Sequence, residues 1–578
     1  MIISKFTQPR IWRLAAASLL VSLGLIAQDQ PASVYFEQVE VNVVNLEVFV
    51  TDANGHRVAG LTRDDFEIYQ DGEQVEITNF FAIDREDRIL RTTQAETLPD
   101  ETAPTPEPRL LPAEHRLNLL IYFDNFNLTP GNRTRLLDQV GDFIEDRITQ
   151  GDNVMLVGSF RTPQVVVPLT RDRQAIADGL QKLKKASTYR QVDQAQLRQS
   201  MKSIELAFAE GNPRAAHGWV RTYVQSASAD LRVSSRAITN MVRSLAGLPG
   251  RKAILYVSEG LPQRPGEELY QYMVDLFGQD GIEQARRSGG YFLDPSIEAN
   301  AEDQTALFNV IAREANANQV TFYTLDATGG KVSSGISAEL RTDATLAGGL
   351  TTLAAMRVMN LQQPLIDMAE ATGGASVLNT FNFDEALVRI ADDFDSFYSL
   401  GYMPSSGGDG KFHKIEVRVK HPALKVRHRT GYLDKPTEER VADRTIASLV
   451  FGLEKNPLEI AVDFGEAERI KKSKYHLPVM VRIPIRSVTL VPGDRHEEGR
   501  LEIYLAVRDE DGISELHRQS YPVQIPKELV SQAQDKDIGY SVTLEVRPGE
   551  PTVAVGVWDS ISGLESFVHM PVRVAQEN

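Results

Sequence analysis

The apolar run Leu117-Asn118-Leu119-Leu120-Ile121-Tyr122-Phe123 ends on a carboxylate, Asp124. A run this long without alternation reads as a strand buried on both faces, as in a parallel sheet covered by helices. The pattern recurs at Ala253–Ser258, followed by Glu259, and at Val320–Leu325, followed by Asp326. Open α/β sheets bind ligands at the carboxyl ends of their strands. Asp124, Glu259 and Asp326 are therefore expected along one edge of one sheet.

Around these strands the pattern alternates strand and helix from 115 to 395, the signature of an α/β sheet. Leu136, Leu137, Val140, Phe143, Ile144 and Ile148 form one face of the first helix. Asn153–Phe160 and Gln164–Leu169 read as a strand pair, and Thr170 with Asp172 starts the next helix. The stretch 190–245 is largely helical. Residues 262–304 and 327–360 look like insertions after strand ends. The last unit runs from Pro364 through Gly373-Gly374 to Phe394.

Several further regions flank this one. Residues 1–27 read as a signal peptide: Lys5, Arg10 and Arg13 precede an apolar run that ends near Ala27. Segment 35–85 is a small β domain, with a tight turn at Asp71-Gly72. A Pro-rich acidic linker spans 86–114. A β segment at 396–435 and a helical connector at 436–457 lead to a β-sandwich at 458–578, expected to be immunoglobulin-like.

A net charge of −17 argues against a nucleic-acid partner and against anionic lipid. Membrane attachment is expected only through an uncleaved leader. The chain has no cysteine, which excludes disulfides, thiolate metal sites and a Cys nucleophile. An exported protein held only by its cores fits a bacterial envelope, periplasmic or extracellular.

The segment 115–395 resembles a von Willebrand factor type A domain, and 35–435 resembles the related proteins that bacteria export. The likeness rests on Val44-Asn45-Leu46-Glu47-Val48, Asp64-Asp65-Phe66-Glu67-Ile68 with Asp71-Gly72, and the Asp124 strand. Leu169-Thr170-Arg171-Asp172, Thr372-Gly373-Gly374, Tyr398-Ser399-Leu400-Gly401-Tyr402 and Arg429-Thr430-Gly431-Tyr432 complete it. The resemblance implies a doubly wound α/β domain for protein adhesion or assembly. In that family an Asp-x-Ser-x-Ser loop, a Thr and a second Asp hold a divalent cation, and a partner carboxylate completes its shell.

This chain departs from that pattern at the metal. Asp124 matches the first Asp, but Phe126 and Leu128 replace the two hydroxyls. Asn125, Asn127 or Thr129 would have to supply an oxygen, Thr188 matches the loop Thr, and Ser258-Glu259-Gly260 replaces Thr-Asp-Gly. The expectation is a degenerate site for Mg²⁺ or Mn²⁺ at Asp124, Asn127, Thr188 and Glu259, with Asn125, Ser258 and Asp326 on a partner-binding edge. The competing reading has the acids capping loops and helices with no ion.

No His-Glu-x-x-His and no Gly-x-Ser-x-Gly elbow occurs. Gly407-Gly408-Asp409-Gly410-Lys411 resembles a phosphate loop, but Ser405 stands in place of its first Gly and a strand follows it. It reads as a hairpin loop. The expected function is non-enzymatic protein binding through the strand-end loops. The alternatives are a metal-free envelope scaffold or a hydrolase using the strand-end acids.

Overall fold

The computed structural model describes residues 43–83, 116–147, 152–159, 163–288, 294–329, 347–404, 407–471, 473–510 and 512–575. The expected signal peptide at 1–27 and linker at 86–114 lie outside the described residues. The first four strands are β1 (Val44–Thr51), β2 (Phe66–Gln70), β3 (Glu73–Val75) and β4 (Asn79–Ile83). Asp71, in the turn between β2 and β3, has a φ of 52°, the left-handed conformation that an Asx-Gly pair tolerates.

The central sheet follows. Its first half is β5 (Leu117–Phe123), α1 (Pro130–Arg147), β6 (Asn153–Ser159), β7 (Pro163–Thr170) and α2 (Arg173–Lys185). Next come α3 (Arg190–Ala209), α4 (Pro213–Ser244), β8 (Arg251–Ser258), α5 (Glu267–Arg287), α6 (Pro295–Ala301) and α7 (Thr305–Ala317). The second half closes with β9 (Val320–Asp326), α8 (Ala347–Ala371), β10 (Ser376–Val377) and α9 (Phe383–Asp395).

The strand order is β10-β9-β8-β5-β6-β7, parallel throughout except for the antiparallel edge pair β6–β7. This is the doubly wound order, and its direction of winding reverses between β5 and β8. All seven residues of β5 are buried because each face meets helices. Leu119, Ile121 and Phe123 join one core with α1, α2 and α9, while Leu120 and Tyr122 join the other with α4, α7 and α8. Period-2 alternation thus persists in a strand whose two faces are both apolar.

Helix starts follow their caps. Asp172 accepts from the Gln174 and Ala175 amides at 2.9 and 3.2 Å and so begins α2. The expected start of the last unit at Pro364 is overridden. The helix α8 runs from 347 to 371 straight through that proline. Pro364 has no N–H to offer the Asn360 carbonyl, and the Gln263 amide takes that carbonyl instead at 3.1 Å. Tertiary pairing supplies the bond that local propensity says is lost.

After α8 the backbone turns at Gly373, whose φ is 79°. A methyl group on neighbouring Gly374 would lie 1.8 Å from the Phe322 carbonyl oxygen. We expect Gly374→Ala to force β9 and the turn apart and to cost about 3 kcal/mol, read as a lower urea midpoint with unchanged slope.

The chain then returns to its beginning. Strands β11 (Phe397–Tyr402), β12 (Phe412–Val419), β13 (Lys425–Arg427) and β14 (Gly431–Leu433) join the sheets of the first four. They build two antiparallel sheets, β13-β1-β11-β4 and β14-β12-β2-β3. Segments 35–85 and 396–435, read as separate pieces from sequence, share one core of Leu46, Val48, Ile68, Leu400, Tyr402 and Ile415. Ile83 pairs with Phe397, so the α/β domain leaves and re-enters the sandwich at adjacent strands.

The poor alternation of β1 also has a cause. Its Phe49 is buried on the outward side, with the guanidinium groups of Arg57 and Arg427 over its ring at 4.9 and 5.1 Å. This side faces the α/β domain. Asp393 of α9 receives both Arg57 and Arg427, the latter through two bonds of 3.0 and 2.7 Å. Arg251, the first residue of β8, bonds Glu47 of β1 at 2.9 and 3.0 Å and the Phe394 carbonyl at 2.7 Å. Its guanidinium lies 4.0 Å from the centre of the Phe397 ring.

Beyond the sandwich, α10 (Thr437–Phe451) packs its Val441 and Leu449 on Tyr504, Phe567, Ala506 and Ala554. These belong to a C-terminal pair of antiparallel sheets between 461 and 571. Leu477, Val479 and Val481 from one sheet meet Ile503, Leu505 and Val555 from the other.

Candidate functional site

Asp124 follows β5 and Ser258 ends β8, so both stand at the point where the winding reverses. Asp124 is 1% exposed. Its Oδ2 accepts from the Tyr256 hydroxyl at 2.5 Å, Asn127 Nδ2 at 2.8 Å and the Ser258 hydroxyl at 3.1 Å. Burial pushes the Asp124 carboxyl above the ordinary range, against the opposing pull of these three donors. Burial and the Asp124 charge push Tyr256 far up as well, so the phenol keeps its proton and donates.

Glu259 meets a second set of donors. Its Oε1 accepts from the Thr129 amide at 2.7 Å, the Thr129 hydroxyl at 2.5 Å and Asn132 Nδ2 at 2.8 Å. Thr129 immediately precedes α1, whose first residue, Pro130, needs no amide partner. Glu259 therefore ties the start of α1 to the end of β8. Its Oε2 faces Arg190 Nε at 3.8 Å. The backbone amide of Glu259 also donates to the Asn127 carbonyl at 3.1 Å, which joins the two loops.

Asp326, at the end of β9, is capped in the same way. It accepts from the Thr328 amide and hydroxyl at 2.9 and 2.7 Å and from Gln362 of α8 at 2.7 Å. Each of the three strand-end acids is thus occupied by donors from the chain itself.

The remaining expected site residues fall as follows. Asn127 is bonded to Asp124 as described. Thr188 is half-buried and immediately precedes Tyr189, whose amide donates to the Asn125 carbonyl at 3.1 Å. Asn125, Ser258 and Asp326, expected on a partner-binding edge, are 0%, 0% and 2% exposed. Asn125 Oδ1 accepts from the buried Arg133 at 3.2 Å. Phe126 stacks on Tyr189 with ring centres 4.5 Å apart, and Leu128 lies in the apolar core.

This donor set does not fit Mg²⁺ or Mn²⁺. Such an ion needs an octahedron of oxygens at about 2.0–2.1 Å for Mg²⁺. Here Asp124 Oδ2 is filled by hydroxyl and amide donors and Oδ1 faces the Asn127 backbone amide at 3.4 Å, two loop positions are apolar, and the guanidinium of Arg190 already stands beside Glu259. Arg190 is 5% exposed. It opens α3 two residues after Thr188, and its charge beside a candidate metal Thr was the readable signal for a cation built into the chain.

Helices α3, α4, α5 and α8 roof the switch point. They leave a cavity of about 40 Å³ beneath them, lined by Asn127, Arg190, Asp193, Tyr223, Glu268 and Arg357. Such a space holds a water or two and no larger ligand. Burial pushes the Glu268 carboxyl up, with Arg357 opposing.

No protein-family model matches the chain, and no curated protein does. Among solved structures, similarity is found to a von Willebrand factor type A protein from Catenulispora acidiphila, at 10% identity over 88% of this chain and 76% of that one, with a TM-score of 0.20. An aerotolerance-related membrane protein from Bacteroides fragilis aligns at 10% identity over 48% of this chain and 98% of that one, TM-score 0.19. Manganese-loaded TRAP protein from Plasmodium vivax aligns at 10% identity over 56% and 95%, TM-score 0.19. Alignments this shallow do not define the fold, which rests on the strand order and pairing above.

Proposed function

We propose that this chain is an exported, non-enzymatic protein-recognition module of von Willebrand A type that works without a strand-end cation. The observation that carries the reading is the saturation of Asp124 by Tyr256, Asn127 and Ser258 beneath a helical roof. A partner carboxylate approaching that face meets α3 and α4 before it meets Asp124. Recognition therefore passes to the roof, whose exposed apolar side chains include Val192, Leu206, Phe208 and Trp219. A metal-free envelope scaffold is the second reading, with partners held by the C-terminal sheets.

Cross-linking in envelope extracts, with mass-spectrometric mapping, tests the proposal. Cross-links are expected on residues 190–288, unchanged by EDTA, and reduced roughly tenfold or more by Trp219→Glu. Cross-links confined to 458–575 would favour the scaffold. Loss of all cross-links in EDTA, restored by Mg²⁺, would refute the cation-free reading.

A further inference from the structure

The geometry points to a zinc site, far from the strand ends in the chain, at His413, Asp409 and Asp434. The three come from the start of β12 and the end of its antiparallel neighbour β14. Asp409 lies in the Gly407–Lys411 loop before β12, His413 is the second residue of β12, and Asp434 follows β14. His413 pairs with Tyr432 across these two strands, and their rings stack with centres 5.3 Å apart. One imidazole nitrogen and one carboxylate oxygen from each Asp all lie within 4.8 Å of one another.

The imidazole is aimed. Its Nδ1 lies 2.7 Å from Asp71 Oδ2, and Asp71 is itself fixed by the Lys414 amide at 2.8 Å. In the ion-free structure Nε2 stands 3.2 Å from Asp409 Oδ1; a bound zinc would replace the Nε2 proton and leave the Nδ1 proton bonded to Asp71. A carboxylate behind the imidazole is the arrangement that orients metal-bound histidines and raises their basicity. This second group distinguishes the cluster from a mere collection of acids.

The surrounding loop is shaped for closure on an ion. Asp434 is 1% exposed and accepts from the Gly408 amide at 2.8 Å, which wraps the loop around it. Gly408 and Gly410 have φ values of 69° and 71°, so the turn on each side of Asp409 uses the left-handed region. Zinc bonds of about 2.0–2.2 Å set tetrahedral donors about 3.3–3.6 Å apart, so three donors that lie within 4.8 Å of one another need at most a small closure. Asp409, on the exposed loop between these glycines, supplies that movement. Three carboxylates face one imidazole and one lysine, Lys411, at 3.8 Å from Asp409. An imidazole with carboxylates selects Zn²⁺ over Mg²⁺ and Ca²⁺, and three protein ligands leave a fourth position for water.

Titrating Zn²⁺ into EDTA-stripped, untagged protein by calorimetry decides the matter. One saturable equivalent is expected in the wild type and in Asp124→Asn, and none at the same site in Asp409→Asn or His413→Gln. Asp71→Asn should weaken binding by about ten- to a hundredfold. X-ray absorption at the zinc edge should show a single imidazole with oxygen neighbours. If His413→Gln does not fold, Asp409→Asn decides alone, because asparagine keeps an oxygen acceptor for the Lys411 amide while removing the anionic ligand, and a cooperative ion-free melting curve confirms that it folds. Absence of saturable binding in the wild type, or binding indifferent to Asp409→Asn, overturns the assignment. Neither result bears on the recognition role of the α3–α4 roof.

Discussion

Replacing Arg251 by alanine is expected to lower stability by about 3–5 kcal/mol, the range for removing one member of a buried ion pair. Arg251 is the point at which the α/β sheet, the end of α9 and the small sandwich meet. Its loss removes a donor from Glu47, from the Phe394 carbonyl and from the Asp393 carbonyl, and uncovers the Phe397 ring. The pH dependence carries a sign. Burial works to raise the Glu47 pKa, but Arg251, helped by Arg429 and Lys252, outweighs it and holds the carboxyl below its usual range. The pair therefore stabilises fully above the unfolded value of about 4.3. That stability is lost as pH falls through the lower, folded value. Urea unfolding at pH 7 and pH 4 should show the wild-type advantage over Arg251→Ala shrinking in acid. The double variant with Glu47→Gln should be less destabilised than the two single effects summed. Full additivity would mean that the two side chains do not interact across the junction.

The second large effect is expected at Asp124. Asp124→Ala removes the acceptor of three buried donors, each costing about 1–3 kcal/mol when left unsatisfied. Release of a desolvated carboxylate offsets part of this, and the net loss should be about 3 kcal/mol. The more telling comparison is with Asp124→Asn across pH. The folded pKa of Asp124 is raised by burial, so the folded state holds its proton to higher pH than the unfolded chain does. Its contribution is fully present below the unfolded value of about 3.9 and declines as pH rises through the folded value. The wild-type advantage over the asparagine variant should accordingly narrow between acid and neutral pH. A cation-bound Asp124 would behave oppositely, since a metal favours the ionised form. An advantage that widens toward neutral pH, and only with Mg²⁺ present, would reinstate the adhesion site.

Much of the α/β domain was legible because its signals are local. Unbroken apolar strands, the Asp172 cap and the β6–β7 pair lie within short windows of sequence. The small sandwich was not, because β1 and β11 are paired across about 350 residues and no local pattern records a partner so distant. The site divides along the same line. Asp124, Glu259 and Asp326 stand at strand ends, as the runs before them imply. Their saturation depends on Tyr256, Asn132 and Gln362, ordinary residues whose role exists only after the sheet and helices assemble. Pro364 makes the converse point, a strong local signal overruled by one amide from another loop.

The adjacent exit and re-entry of the α/β domain at Ile83 and Phe397 sets a timetable for biosynthesis. At about 5–20 residues per second, β1 emerges roughly 20–70 s before the strand that completes its sheet. During that interval both backbone edges of β1 lack their native strands, β11 and β13, while the α/β domain behind it acquires nearly all of its own pairing. The newborn amino-terminal strands are thus the stretch of this chain most in need of a holding chaperone.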